Sequence, residues 1–432
     1  MVKHKVLIIG GGFAGLCCAR KLTHPDIEVT LIDKRNFHLF QPLLYQVATG
    51  GLSPANIAAP LRSLVRTQEN VTVLLGEVTT FHTDRKTVDT TIGVLSYDTL
   101  VVAAGAAHSY FGHPEWEQYA PGLKTIEEAT EIRSRILLAF EEAERTKDPE
   151  ERSSLMTFVI IGGGPTGVEL AGALSEIARH TFVDDFKEIF PEEARVLLIE
   201  HADRVLPFYP KSLTDKALGH LTSLGIRVMT GSKVTDIGPG GVTVDRNGAS
   251  EFIKARTVLW AAGVQASPLA RLIAEATGAA SDRSGRVEVD RYLNIPGHPD
   301  IFVVGDMACF KQQSDKPLPG LAPVAMQQGR HVARIINNRF LKKASKPFRY
   351  TDRGSMATIG RGKAVAQIGE IRFSGYAAWL AWLFIHLMYL VQFQNRVLVL
   401  FQWSWNYWTW NRAARLITGD TPGEQATASQ QS

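Results

Sequence analysis

Apolar and polar positions follow one another in a rhythm that the chain repeats. Val6–Ile9 is an unbroken apolar run, followed by Gly10-x-Gly12-x-x-Gly15 and by small and apolar residues through Ala19. A second apolar run, Val29–Ile32, stops at Asp33. The pattern predicts a buried strand, a glycine turn, a helix and a second strand. The same text returns at Thr157–Leu174, which reads TFVIIGGGPTGVELAGAL against KVLIIGGGFAGLCCARKL at Lys5–Leu22. Here the glycines are Gly162, Gly164 and Gly167, Ala171 matches Ala19, and the run Val196–Ile199 stops at Glu200. This second interval exceeds the roughly twenty residues expected. The excess falls in His180–Glu193, read as an inserted helical excursion. Val258–Val264 (VLWAAGV) echoes Leu100–Ala106 (LVVAAGA) in matched order. The chain therefore carries two related units, the second inserted into the first.

Between and after these repeats the pattern is less regular. Leu61–Val65 reads as helical, and Val71–Leu75, the region of Val78 and Thr87–Thr91 as short strands. Ile126–Glu144 has helical spacing, with Ile132, Ile136 and Phe140 on one face. Asp300–Asp306 (DIFVVGD) is a strand ending in Gly305-Asp306, and Pro323 suits the first turn of the next helix. Met356–Ile359 and Ala364–Ile368 alternate as strands do. The connection after Asp33, KRNFHLFQPLLYQVATGGLSP, is too apolar for a surface loop; it is expected to fold over a ligand, with Phe40, Pro42 and Leu43 inward. The closing ATASQQS is expected to be disordered.

Composition narrows the class. At 432 residues two or three domains are expected, and 45 % hydrophobic residues can bury a large core. The net charge of +4, without a basic run, argues against nucleic acid. Cys17, Cys18 and Cys309 form no CxxC and no metal spacing, which argues for a reducing compartment and against a dithiol enzyme. The first strand starts so near Met1 that no cleavable signal peptide is expected, placing the catalytic body in the cytoplasm. Six of the eight tryptophans crowd the last sixty residues, from Trp379 to Trp410, marking a separate C-terminal unit.

That tail combines greasy and basic residues. Phe373–Asn395 is 23 residues without Lys, Arg, Asp or Glu, and Val397–Asn411 is a further 15. Arg372, Arg396, Arg412 and Arg415 flank these runs with no acidic residue between Ile371 and Gly419. Tryptophan with arginine suits an anionic bilayer surface. At helical spacing Trp379, Trp382, His386, Tyr389 and Phe393 make an aromatic stripe, opposite the aliphatic Leu380, Leu383 and Leu387. Two helices lying in one leaflet are expected, one face on protein and one in lipid. A single span, and packing on the body or on a second copy as a homodimer, are the alternatives.

The chemistry follows from the two glycine motifs. Gly10 permits the turn, Gly12 lets backbone approach a pyrophosphate, and Gly15 lets helix and strand pack closely. Asp33 at the strand end suits a ribose hydroxyl. Two dinucleotides in one chain imply electron transfer between them, a nicotinamide delivering hydride to a flavin, with no nucleophile, metal or triad needed. Asp306 is placed to hold the ribityl hydroxyls, and the amides of the Pro323 helix to face the pyrimidine end of the flavin.

At this point the sequence resembles the type II NADH:quinone oxidoreductases, monotopic flavoproteins that pump no protons. The resemblance spans nearly the whole chain. It rests on both glycine motifs, FxPLLYQVATG after Asp33, VVGDMA, YTDRGSMATIGR at Tyr350–Arg361 and the tryptophan-rich tail. It implies an α/β protein with two Rossmann-like dinucleotide-binding domains, glutathione-reductase-like, plus C-terminal membrane-associated helices. The FAD-binding domain would be 1–115 and 285–345, the NADH-binding domain 116–284, and the membrane-anchoring region 346–432. The resemblance assigns FAD to Gly10, Gly12, Gly15, Asp33, Gly105 and Asp306, and NADH to Gly162, Gly164, Gly167 and Glu200. It implies a membrane quinone as acceptor at the cytoplasmic face of the cell membrane. Glu169 matches a family glutamate with a role in hydride or proton handling; the plainer alternative is a carboxylate favoured in the first turn of its helix. The family pattern Ala-Gln-x-x-x-Gln is altered here to Ala322-Pro323-Val324-Ala325-Met326-Gln327. Gln327 keeps the second quinone-facing position, while Pro323 removes the first donor. The rival readings are a related flavoprotein with another acceptor and a membrane-bound flavin redox sensor.

Overall fold

The protein is described as a computed structural model covering residues 3–312, 315–410, 412 and 414–418. The ATASQQS stretch lies outside the described residues. The chain forms two compact units.

The first unit gathers residues up to Leu39, Ala58–His108 and Val264–Arg353. Its centre is a six-stranded sheet in the order Asn294–Ile295, His298–Val303, Thr99–Val102, His4–Ile9, Ile27–Asp33, Val71–Leu75. All pairings are parallel except the edge hairpin at Asn294–Ile295. Val6, Leu7, Ile8 and Ile9 are all buried, as a parallel strand covered on both faces requires. The helix Phe13–Ala19 covers one face and crosses the helix Ala322–Phe340 at Gly329, where a Cβ would lie 2.1 Å from the Ala14 carbonyl oxygen. Pro323 does sit in the first turn of that second helix. The run Leu100–Ala106 is not one strand: it ends at Val102, turns through Gly105, and resumes as Ala106–His108 paired with Val264–Ala266. Likewise Gly305-Asp306 falls in a 3₁₀ turn beyond Val303.

The second unit gathers Phe40–Ile57, Ser109–Gly263 and the chain from Gly354 on. A four-stranded parallel sheet, Arg227–Met229, Arg195–Ile199, Thr157–Ile161, Thr257–Trp260, is packed by the helices Ile126–Arg145 and Pro165–Glu176. Thr125 and Glu128 start the long helix with a reciprocal capping box. The tail strand Ser355–Gly360 lies against the Pro165 helix at Gly172, where a Cβ would meet the Ile359 carbonyl oxygen at 1.6 Å. Phe40 and Leu43 are buried as expected, Phe40 capping and Leu43 ending the short turn Gln41–Leu43, which runs into the helix Leu44–Ala48.

Two expectations are corrected. His180–Glu193 is not a helical excursion: a π turn, Ile177–Thr181, leads into irregular chain with a 3₁₀ turn at Pro191–Glu193. Phe182 and Phe186 drive it, packing their rings on Phe140. The Glu144 carboxylate accepts from the amides of Lys187, Glu188 and Ile189, so the backbone needs no helix to be satisfied. In the tail, Phe373–Asn395 is broken rather than continuous. Tyr376–Tyr389 and Phe393–Thr409 are separate helices, and Arg396 Nε donates to the Leu390 carbonyl at the break, 2.8 Å. No described helix is long and apolar enough to cross a membrane. The aromatic stripe is real as far as Trp382 and His386, which turn inward, but Phe393 lies beyond the break and is exposed.

Candidate active site

Each unit carries one glycine cradle, and the two are built alike. In the first, Gly10 adopts φ +102° and a Cβ there would lie 2.4 Å from the Ala103 carbonyl oxygen. A Cβ on Gly15 would come within 1.9 Å of the Gly10 oxygen, so helix and turn touch. Over Gly12 there is open space, the room a pyrophosphate needs beside bare backbone. In the second cradle Gly162 has φ +109°, a Cβ on Gly167 would sit 1.8 Å from the Gly162 oxygen, and Gly164 again faces open space.

The acidic strand ends share one arrangement. Asp33 Oδ2 accepts from Gly11 N at 2.6 Å and Oδ1 from Arg35 N at 2.7 Å. Glu200 Oε2 accepts from Gly163 N at 2.5 Å and Oε1 from Ala202 N at 2.7 Å. Burial pushes the Asp33 carboxyl above its ordinary value, against the pull of those amides. Each oxygen keeps a second lone pair for a ribose hydroxyl. The open glycines, the close turns and the carboxylates fit FAD in the first cradle and a second dinucleotide in the other. Arg204 near Glu200 donates to the Pro207 carbonyl at 3.2 Å.

Further along the first unit, Gly105 (φ +71°) faces open space, and Asp306 lies in the 3₁₀ turn facing Gly320. Gln328 is buried and its Oε1 accepts from Gly305 N at 2.6 Å, which pins that turn to the Ala322 helix. Gln327 is tied back to its own unit: Nε2 donates to the Thr351 carbonyl at 2.9 Å and Oε1 accepts from Thr351 N at 3.0 Å. Cys18 is fully buried and Cys309 is buried; the three cysteines are free thiols.

The second unit holds a solvent-open pocket between the Pro165 helix and the tail. Glu169, Ala173 and Glu176 line it from one face of that helix. Thr358–Arg361, Tyr45 and the tail residues Trp379, Trp382, Trp403, Tyr407 and Arg412 contribute to the other walls. Burial pushes the Glu169 carboxyl up to about 8, opposed by a bond from the Thr358 backbone. It lines the pocket, and its bond comes from the tail strand Ser355–Gly360 rather than from its own helix end. Tyr45 is buried beside it, its hydroxyl accepting from Gln46 Nε2 at 3.0 Å, while Gln46 Oε1 accepts from Trp403 Nε1 at 2.7 Å. Glu176 takes Arg361 N on Oε1 at 2.5 Å and Arg412 Nη2 on Oε2 at 3.0 Å.

The sequence reading named Glu169 but missed Tyr45, Glu176, Arg361, Trp382 and Arg412 as its neighbours. Tyr45 and Arg361 lie inside stretches it quoted, FxPLLYQVATG and YTDRGSMATIGR, without being singled out. Glu176 had only its helical offset from Glu169 as a signal, and Arg412 was read as a lipid contact.

Comparison with known proteins places these features. Residues 4–329 match the pyridine nucleotide-disulphide oxidoreductase family, and residues 353–409 the NDH2 C-terminal domain. The type II NADH:quinone oxidoreductase Ndh of Mycobacterium tuberculosis is 45 % identical over 426 residues, covering 96 % of this chain and 90 % of that protein. The type II NADH:quinone oxidoreductase of Staphylococcus haemolyticus is 31 % identical over 363 residues, 83 % of this chain and 88 % of that protein. Among solved structures, NDH2 of Plasmodium falciparum in complex with NADH has TM-score 0.87 at 20 % identity, covering 96 % of this chain and all of that one. The sulfide:quinone oxidoreductase of Aquifex aeolicus has TM-score 0.72 at 19 % identity, covering 99 % and 95 %. These last two likenesses are of fold.

Proposed function

The chain belongs to the type II NADH:quinone oxidoreductases, and on that premise we propose that Glu169 hands a proton to a quinone reduced in the tail pocket. The protein is a flavoenzyme that oxidises NADH and reduces a quinone. Bound FAD supplies the two-electron chemistry that joins these reactions. Gly10, Gly12, Gly15, Asp33, Gly105 and Asp306 would hold the FAD, and Gly162, Gly164, Gly167 and Glu200 the substrate NADH. With a ribose at this strand end, the Glu200 carboxylate would repel a 2′-phosphate and so disfavour NADPH. In functional terms 1–115 with 285–345 serve FAD, 116–284 serve NADH and 346–432 anchor the enzyme.

Two-electron reduction of a quinone consumes two protons. An ordinary glutamate is ionised at neutral pH and has none to give. Glu169, desolvated in an aromatic pocket, stays neutral there and is poised near 8, where a general acid works well. That carboxyl on that wall is the observation carrying the reading. Glu169→Gln is expected to slow quinone reduction about 100-fold while NADH still bleaches the flavin at close to the native rate. Equal loss in both half-reactions would refute the role.

The outward tail surface supports lipid contact. Phe384, Phe393, Phe401, Trp405 and Trp408 are exposed, the last 80 % so. We assign this face to the cytoplasmic leaflet rather than to a homodimer partner, because exposed tryptophans stand beside arginines and no acid in this stretch.

A further inference from the structure

We infer that Trp382 and Arg361 are the two donors that grip the quinone head in the tail pocket, the place the resemblance gave to Gln327. The inference rests on the reading of that pocket as the quinone site. Two N–H donors of pocket-lining side chains, Trp382 Nε1 and Arg361 Nη1, are buried and have no acceptor among the described residues. Buried donors are almost always paired, so two orphans on one pocket ask for a ligand bearing acceptors.

Both are held rigidly. Trp382 is 1 % exposed, its ring stacked on His386 at 4.2 Å and tilted against Trp403 at 5.6 Å. Burial brings the His386 imidazole down to about 4, so the ring stacked on Trp382 is neutral at pH 7. The Arg361 guanidinium lies between two rings, 3.9 Å from Tyr407 and 4.2 Å from Trp410. Glu176, the nearby carboxylate, spends its oxygens on Arg361's backbone N–H and on Arg412. Arg361 therefore presents a fixed cation whose Nη1 donor is unspent.

A quinone head matches this donor set: a flat ring with two carbonyl acceptors and no donor. Arg361 adds what Trp382 cannot. When a hydride equivalent drawn from NADH reaches the ring, one carbonyl becomes an O–H and the other oxygen takes the negative charge. Arg361 faces that oxygen as a preorganised cation. The Glu169 O–H then breaks, an O–H forms on the anionic oxygen, and the quinol leaves with Glu169 as carboxylate, recharged from water. Gln327, engaged at both ends by Thr351, has no part in the grip.

Trp382→Phe removes the N–H and keeps a stacking ring. It is expected to raise the KM for a short-chain quinone about tenfold with kcat within threefold. Arg361→Gln is expected to lower kcat at least 30-fold, because the charge it meets appears only as the reaction proceeds. Flavin bleaching by NADH without quinone should be native in both, and FAD content reports folding. Unchanged quinone KM in Trp382→Phe, or unchanged kcat in a yellow Arg361→Gln, overturns the assignment. Photolabelling with a short-chain azidoquinone separates the two levels. Label in the pocket with native kinetics in both variants rejects these donors and keeps the pocket, while label confined elsewhere rejects the pocket as well.

Discussion

Glu169 shows how one residue's environment becomes its chemistry. Its carboxyl is raised to about 8, so the folded protein binds a proton there that the unfolded chain, near the ordinary 4.5, has released. Between those two values stability must fall as pH rises, by at most about 1.4 kcal/mol per pH unit. Glu169→Gln removes this drain. Relative to wild type it should gain stability progressively from pH 5 to pH 8, read from denaturation midpoints, and the gain should vanish below pH 4. Above pH 8 the native quinone step should slow as the donor ionises, a pH limb that the Gln variant lacks. The cradle glycines make a second residue-scale contrast. Gly15→Ala forces a methyl against the Gly10 oxygen and should prevent a stable fold. The methyl of Gly12→Ala meets nothing among the described residues, so the variant should fold and purify with little FAD, because that methyl takes ligand space. Equal FAD content in Gly12→Ala and wild type would remove that glycine from the site.

At the scale of elements, the segment after the second tail helix acts as a strap. Trp410 takes a left-handed turn (φ +57°), and the chain then folds back onto its own unit. Ala414 N donates to the Gly50 carbonyl at 3.2 Å, Arg412 pairs with Glu176, and Arg415 pairs with Asp185. Glu176 and Arg412 are 11 % and 13 % exposed, so this pair is nearly out of water. Breaking such a pair strands the remaining charge. Arg412→Ala should cost about 3 kcal/mol or more, seen as an earlier urea midpoint, whereas Arg415→Ala at the more exposed pair should cost under about 1 kcal/mol. The helices themselves offer a different test. Trp408→Ser with Phe401→Ser should weaken sedimentation with anionic vesicles and leave NADH-driven flavin reduction intact; undiminished binding would point to a protein partner for this face.

At the scale of the whole molecule, the tail carries the exposed aromatic band proposed as the lipid contact, and it also walls the pocket. Deleting residues 373–432 strips Trp382, Trp403 and Arg412 from the pocket as well as the exposed band. The truncated enzyme should therefore leave the membrane and lose quinone reduction together, while NADH still reduces its flavin; retained quinone turnover would put the acceptor elsewhere. How much of this was legible beforehand depends on the range of the interactions. Both cradles could be read from Gly10–Asp33 and Gly162–Glu200 because strand, turn, helix and acidic stop are local, and glycine is the residue those turns sterically allow. The split of the tail into helices was expected from its charge pattern, though not the break at Leu390, which depends on a side chain six residues ahead. His180–Glu193 looked helical until Phe140 and Glu144, forty residues earlier, supplied ring contacts and a carboxylate. By itself the sequence determined two dinucleotide cradles, their glycines and acids, and an aromatic, basic tail. Only the tertiary structure decided that the Glu169 carboxyl is desolvated and raised, that Gln327 bonds Thr351 at both ends, and that Trp382 Nε1 and Arg361 Nη1 have no acceptor among the described residues. Desolvation and hydrogen-bond satisfaction are sums over neighbours that the fold brings together, such as Thr358 beside Glu169, and no local pattern contains them.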